Sequence, residues 1–181
     1  MKPILSHPMR LSDLPRRKPV AFRLIPDEGG LESLSDRLGV DALRKVRFEG
    51  AIHPQGKSDW VLKATLGATV VQPCRVTTDP VVTRIDEEVA RTYAADYVEP
   101  AGDDVEMPED DGLEPLPATL DVGAVLEEAL ALAIPAFPRA PAADEIDVAA
   151  VPPGADPIDD DTVKPFAGLA ALRDRMKGGD D

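Results

Sequence analysis

The chain has 181 residues, of which 43% are apolar but only 4% aromatic, and 19 are prolines. This composition suits one domain of roughly 100 to 150 residues, plus segments that bury too little apolar surface to fold alone. Residues 1–98 hold 15 Lys and Arg against 13 Asp and Glu, so the net charge of −14 comes from the rest of the chain. Bulk negative charge excludes general nucleic-acid binding and restricts it to a local basic surface.

The sequence contains no signal for export or membrane insertion. Its N-terminus lacks the apolar core of a signal peptide, and no apolar run approaches the roughly 20 residues of a membrane span. Cys74 is the single cysteine, which rules out a disulfide within the chain and is compatible with a reducing compartment. We therefore expect a cytoplasmic protein with no membrane contact.

Regular structure is expected to begin after an N-terminal arm of residues 1–17. Residues 18–24 alternate as a short strand, in which Val20, Phe22 and Leu24 share one face. A short helix is expected after the break at Gly29 and Gly30, because the next leucines keep helical spacing and Gly39 can end the helix.

Three longer strands are predicted next, joined by short turns. Residues 44–52 alternate as a strand, and residues 53–58 hold the Pro, Gly and Ser of a hairpin turn. Residues 59–72 have the strongest period-two pattern, with Gly67 as an expected bulge or bend. After a turn, residues 81–93 resume as a strand. Consecutive strands with short connections predict an antiparallel β-meander.

A capped amphipathic helix is predicted from Val122 to Ile134. Asp121 is a suitable N-cap, and Pro135 cannot continue the helix. Apolar residues recur on one helical face, which is expected to cover the apolar face of the meander. Together these elements predict a single α+β domain over residues 18–138.

Two acidic segments are predicted to lack regular structure. Residues 99–116 form an acidic loop inside the domain, and residues 139–164 form an acidic, proline-rich linker. The carboxylates of the loop lack the ligand spacing of a calcium site. Residues 165–177 predict a short C-terminal amphipathic helix, which could dock on its own domain or anchor to a partner.

No catalytic arrangement is recognisable. His7 and His53 lie in an expected tail and an expected turn, and no glycine-rich phosphate loop is present. Arg75 favours the thiolate of the adjacent Cys74, but a structural or partner-contacting cysteine is preferred over a catalytic one. We expect no enzyme activity, cofactor, metal site or small-molecule substrate.

Three segments occur in an order typical of one family: residues 72–80 with Cys74, residues 121–138, and residues 165–172, which begin Pro-Phe-Ala. In this order they resemble the YceD family of bacteria, the large ribosomal RNA subunit accumulation proteins, which also has plastid relatives. In many members the turn is similar to Cys-x-x-Cys, and Thr77 stands here at the second position, so one thiolate cannot complete a tetrahedral zinc shell. The resemblance implies a non-enzymatic factor that supports accumulation or processing of large-subunit ribosomal RNA.

Two modes of action fit that pathway. In the favoured mode the protein binds Lys- and Arg-rich ribosomal proteins or rRNA-processing factors. The expected contacts are Glu127, Glu128, Pro135, Pro138, Phe166, Leu169 and Leu172. In the alternative, large-subunit rRNA binds directly to a local basic face. That face would consist of Arg10, Arg16, Arg17, Lys18 and Arg75, extended by Lys63, Arg84 and Arg91 on the exposed side of the sheet.

Overall fold

A computed structural model describes residues 5–98 and 112–145, together with Gly154. Met1–Ala143 belong to one compact unit and Asp144–Asp181 to a second, of which only Asp144, Glu145 and Gly154 are described. Phe166, Leu169 and Leu172, with the rest of the predicted C-terminal helix, lie outside the described residues. No helix within the described ranges is long and apolar enough to cross a membrane.

The first unit contains seven strands and two α-helices in the described ranges. The strands are β1 (Pro8–Arg10), β2 (Val20–Leu24), β3 (Ala42–Gln55), β4 (Asp59–Pro73), β5 (Pro80–Ala94), β6 (Leu113–Pro115) and β7 (Thr119–Asp121). The helices are α1 (Glu28–Leu38) and α2 (Val122–Ala133), and single 3₁₀ segments lie at Leu11–Asp13 and Pro141–Glu145. One sheet has the order β2-β3-β4-β5-β6, and a second pairs β1 with β7.

The predicted meander is confirmed by β3, β4 and β5, which pair antiparallel over most of their lengths. Trp60, Leu62, Leu66 and Val70 of β4 are fully buried on the inner face, as its period-two pattern predicts. Leu34 of α1 and Leu126 and Leu130 of α2 belong to the same core. The α+β fold class is therefore confirmed.

Both helices begin at aspartate caps. The carboxylate of Asp121 accepts a hydrogen bond from Gly123 N at 3.0 Å, which confirms it as the N-cap of α2. In α1 the cap is Asp27, which accepts from Gly30 N at 2.8 Å. Gly29 and Gly30 therefore lie inside the first turn of α1, and the expectation that the helix follows them was wrong. Gly39 ends α1 in the left-handed conformation, as predicted.

Two short strands lie in segments for which the sequence predicts an arm or a loop. β6 falls within the predicted acidic loop 99–116 and pairs parallel to the end of β5, so the sheet is not wholly antiparallel. β1 falls within the predicted arm 1–17 and pairs antiparallel with β7. Each of these strands has only three residues, which is too short for an alternating pattern to identify a strand. The partner of β1 is also distant in sequence.

The irregularity of the meander lies in β3. Gly67 keeps its register, opposite Arg47 on one side and Asp86 on the other, so the bulge or bend expected at Gly67 does not lie in β4 itself but in the strand that faces it. The register shifts instead between Arg44 and Arg47, where Lys45 has a φ of 51°. Residues three apart in a regular strand point to opposite faces. Because this bulge inserts one extra residue, Leu43 and Val46 are both buried on the same face.

Candidate functional site

The outer face of the five-stranded sheet is solvent-exposed and rich in cations at one end. The core lies on the inner face, which in β4 holds Leu66 and Val70. Gly67 and Thr69 alternate with these residues, so the side chains in register with them on β3 and β5 point outward. Arg44 and Arg84 flank Thr69, and Arg47 flanks Gly67. With Lys45 of the bulge, these exposed residues form a cluster that we call the basic patch: Arg44, Lys45, Arg47 and Arg84.

One carboxylate organises the patch. Asp86 accepts from Arg84 Nε at 2.7 Å and also contacts Arg84 Nη2, and Arg47 Nη2 lies 3.7 Å from its Oδ1. The hydrogen bonds from Arg84 and the charge of Arg47 hold the pKa of Asp86 below its usual value, so this carboxylate stays ionised. Asp86 therefore orients two guanidinium groups but cannot neutralise all four cations.

Gly67 provides the space in which the two arginines meet. A Cβ at this position would lie 2.8 Å from both Arg47 Nε and Arg84 Nη2. Because glycine has no side chain, both guanidinium groups can lie over the strand. Both arginines also line a concavity of about 460 Å³, together with Ile25, Lys45, Val46 and Thr69.

The chemistry of this surface suits phosphate oxygens. Guanidinium and ammonium groups donate hydrogen bonds to phosphate and neutralise its charge. The described outward positions of β3, β4 and β5 hold no Phe, Tyr or Trp on which a base could stack. The patch could therefore contact a nucleic-acid backbone but not read bases by stacking.

The structure does not bring the five predicted RNA contacts together. Arg16 lies over the Trp60 ring at 4.9 Å and donates to Lys57 O at 2.7 Å and Ser58 O at 3.0 Å, beside the β3–β4 turn. Arg10 and Arg16 line a second concavity, beside Trp60 and separate from the one at the basic patch. Arg17 and Lys18 follow Arg16 in the chain. Arg75 lies past the opposite end of β4, whose 15 residues span roughly 45 Å.

Lys63 and Arg84 lie on the exposed side of the sheet, as expected, whereas Arg91 does not. Arg91 is in register with the buried Leu62, so it lies on the inner side of the sheet. There it pairs with Glu114 and Glu128, each at 3.1 Å. Arg44, Lys45 and Arg47 of the patch were not among the predicted contacts, although three cations in four residues are a visible signal.

The described residues expected to meet a protein partner make contacts within the fold instead. Glu127 pairs with Arg37 at 2.6 Å, and Glu128 with Arg91. The carbonyl of Pro135 accepts from Gln72 Nε2 at 3.1 Å, and that of Pro138 from Arg75 N at 3.0 Å. Pro138 is buried, whereas the side chain of Glu128 is 58% exposed despite its ion pair, so a partner contact at these positions stays a prediction. The exposed apolar side chains of this region are Leu132 and Phe137, which are 74% and 81% accessible.

Cys74 forms a structural contact at the turn after β4. Its Sγ accepts hydrogen bonds from the amides of Ala140 at 3.3 Å and of Val76 and Thr77 at 3.4 Å. The Ala140 amide and the Thr77 groups lower the pKa of Cys74 to about 6, so the thiolate is favoured at neutral pH. No group of three His, Cys, Asp or Glu that could hold a metal occurs within the described ranges.

Comparison with known proteins gives one match. A family model described as Large ribosomal RNA subunit accumulation protein YceD matches residues 62–173. No curated protein and no solved structure matches the chain significantly. The matched stretch begins within β4 and includes the Cys74 turn, β5 and α2. The chain belongs to the YceD family of large ribosomal RNA subunit accumulation proteins.

Proposed function

We propose that this protein is a non-enzymatic, cytoplasmic ribosome-biogenesis factor that supports accumulation of large-subunit rRNA by contacting that RNA through the basic patch. The family assignment supports the pathway. The observation that supports direct contact is the basic patch itself, where four exposed cations lie at one end of the outer face and two of them share the carboxylate of Asp86, in a chain of net charge −14. Such segregation of charge gives a polyanion one favourable face.

The expected binding is electrostatic and insensitive to sequence. Arg44 and Lys45 have no acidic partner within the described residues, so their charges are available to phosphates. Arg47 and Arg84 are held in position by Asp86 and can donate from their remaining N–H groups. Specificity for one RNA would then come from RNA shape or from a further partner.

Ribosomal proteins or rRNA-processing factors are the second class of partner. The sequence favours them, and a protein contact at Glu128, whose side chain is exposed, would compete with its ion pair to Arg91.

Two matched double variants test the RNA contact. Arg44→Glu with Lys45→Glu reverses two charges of the basic patch, and Arg17→Glu with Lys18→Glu makes the same charge change near the β3–β4 turn. Filter binding to a large-subunit rRNA fragment is measured from about 50 to about 200 mM salt, where phosphate contacts weaken steeply. We expect the patch variant to bind about tenfold more weakly at low salt, with a slope of log affinity against log salt reduced by roughly 1.4 for a single-stranded site.

The Arg17 and Lys18 variant is expected to stay close to the wild type. Equal losses in both variants would show that only total charge matters, which contradicts a site at the basic patch. Absence of wild-type binding at low salt would exclude direct RNA contact altogether.

A further inference from the structure

The outer edge of β5 is unpaired along most of its length in the described part of the chain. β6 pairs with β5 only at Thr92–Ala94. From Pro80 to Arg91 no described strand lies on that side, while β4 occupies the other. An unpaired edge presents a row of backbone donors and acceptors that can pair with another extended chain.

The β6 contacts show which backbone groups point outward. Thr92 N donates to Gly112 O at 2.8 Å, and Leu116 N donates to Ala94 O at 3.0 Å. Because N–H and C=O directions alternate along a strand, the other even-numbered residues of β5 also present both groups to this edge. Of these, the carbonyl of Ala90 accepts from Arg91 Nη1 at 3.2 Å. The groups of Val82, Arg84, Asp86 and Glu88 have no strand partner among the described residues.

An apolar groove lies beside this edge, between β5 and α2. It has a volume of about 490 Å³, and its lining includes Val89, Ala129, Leu132 and Ala133. Leu132 is 74% exposed, so an aliphatic side chain placed there would remove apolar surface from water. This groove is on the inner side of the sheet, where alternate side chains of an added strand would point.

The negative charges at the groove favour a positively charged occupant. Glu87 and Glu88 both line it and are both exposed, and neither has an ion-pair partner among the described residues. We propose that the β5 edge accepts an extended segment of a partner protein as an added strand, with aliphatic side chains in the groove and Lys or Arg side chains on the outer face beside Glu88, which is in register with Thr65. This is strand addition with charge complementarity, and it uses the backbone of β5 rather than the Arg and Lys side chains of the RNA contact.

Three synthetic peptides separate strand addition from simple charge attraction. The probe is a labelled peptide of five Lys-Val repeats, and its binding to the full chain is followed by fluorescence anisotropy. Five Lys-Pro repeats have the same charge but no proline N–H and cannot form the ladder. Five Glu-Val repeats keep the strand pattern and reverse the charge. We expect the Lys-Val peptide to bind at least about tenfold more tightly than either control, a difference of about 1.4 kcal/mol.

Matched variants of the protein locate the site. Ala90→Pro removes one outward amide without changing charge, and Ala90→Val keeps the amide at the same exposed position. Only the proline variant should lose Lys-Val binding, by about tenfold. Glu87→Lys with Glu88→Lys should abolish it. On binding to the wild type, exchange of the Val82, Arg84, Asp86 and Glu88 amides with solvent should slow.

Equal binding of the Lys-Pro peptide would overturn the proposal, because it would show general attraction to acidic residues. Unchanged binding by a folded Ala90→Pro variant, or no protection of the β5 amides, would do the same. If Ala90→Pro does not fold, the double Glu variant and the amide exchange of the wild type decide.

Discussion

At the scale of single residues, Cys74 connects two segments that are distant in sequence. Its Sγ accepts from amides of its own turn and from Ala140, which follows α2. Ala143 is fully buried in the same small cluster. The sulfur thus holds two chain segments together. The backbone N–H groups that it accepts from favour the thiolate over the neutral thiol.

The Cys74 contact predicts a specific dependence of stability on pH. The pKa is lowered to about 6 in the folded protein, against about 8.5 for an ordinary thiol. The stabilising contribution is therefore complete above the ordinary thiol pKa and is lost as pH falls through about 6. Denaturant unfolding of wild type and Cys74→Ala, under reducing conditions, should show a stability difference that grows from pH 6 to pH 9. A constant difference would contradict a folded-state thiolate.

Asp121, at the start of α2, is another anion that accepts hydrogen bonds from two separate segments of the chain. It accepts from Gly123 N as the cap of α2, and also from His7 N at 2.8 Å and Ser6 Oγ at 2.7 Å. Partial burial acts to raise the pKa of Asp121, but these hydrogen bonds outweigh it and keep the pKa low. One carboxylate therefore both caps α2 and fixes the segment that leads into β1.

At the scale of elements, the start of α2 is where the N-terminal segment crosses the helix. A Cβ on Gly123 would lie 1.3 Å from the carbonyl oxygen of Leu5, which no side chain can tolerate. The second position of α1 is also a glycine, Gly29, but its nearest neighbour would be Asp27 Oδ1 at 4.0 Å. The two glycines thus occupy equivalent helix positions in different surroundings.

Replacing these two glycines with alanine should change the stability of the protein in opposite directions. Gly29→Ala should leave stability unchanged or raise it by up to about 1 kcal/mol, because alanine favours the helix. Gly123→Ala should lower it by about 2 kcal/mol or more, since the segment at Leu5 must move. Denaturant unfolding of both variants measures the difference. A stabilised Gly123→Ala variant would show that this segment does not lie against α2 in solution.

The elements that could be predicted are those with local signals. The cap and proline stop of α2 and the alternation of β4 lie within short windows of sequence, and both elements are found where expected. The contacts of the predicted site residues could not be predicted, because they depend on residues that are distant in sequence. The partner of Glu127 is Arg37 and that of Glu128 is Arg91, and neither pairing can be read from the sequence of the helix. The basic patch depends on a bulge that shifts β3 against β4.

At the scale of the whole molecule, the folded unit reaches past the end of α2. Residues as far as Ala143 belong to it, whereas the change to proline-rich, acidic composition after Pro138 predicts a linker. Ala140 and Ala143 are buried against Cys74 because small side chains fit beside the turn. Composition alone does not distinguish such a packed extension from an unstructured tether.

Two truncations test the extent of the unit. A chain ending after Glu145 keeps the Cys74 cluster, and a chain ending after Pro138 loses it. We expect the shorter chain to be less stable by about 1–2 kcal/mol from lost apolar burial. The pKa of Cys74 should also rise, because the Ala140 amide is its principal donor. Thermal unfolding and titration of the thiolate absorbance measure both effects. Identical behaviour of the two chains would place the boundary at Pro138.

The pairing of β1 with β7 sets an order on folding during synthesis. His7 and Asp121 are joined by a hydrogen bond although 114 residues separate them. The meander can pair strand by strand as it leaves the ribosome, but its inner face, with Trp60 and Leu66, stays uncovered until α2 has been made. β1 must wait for β7, which is made immediately before α2, so this early segment of the chain is among the last to find its place.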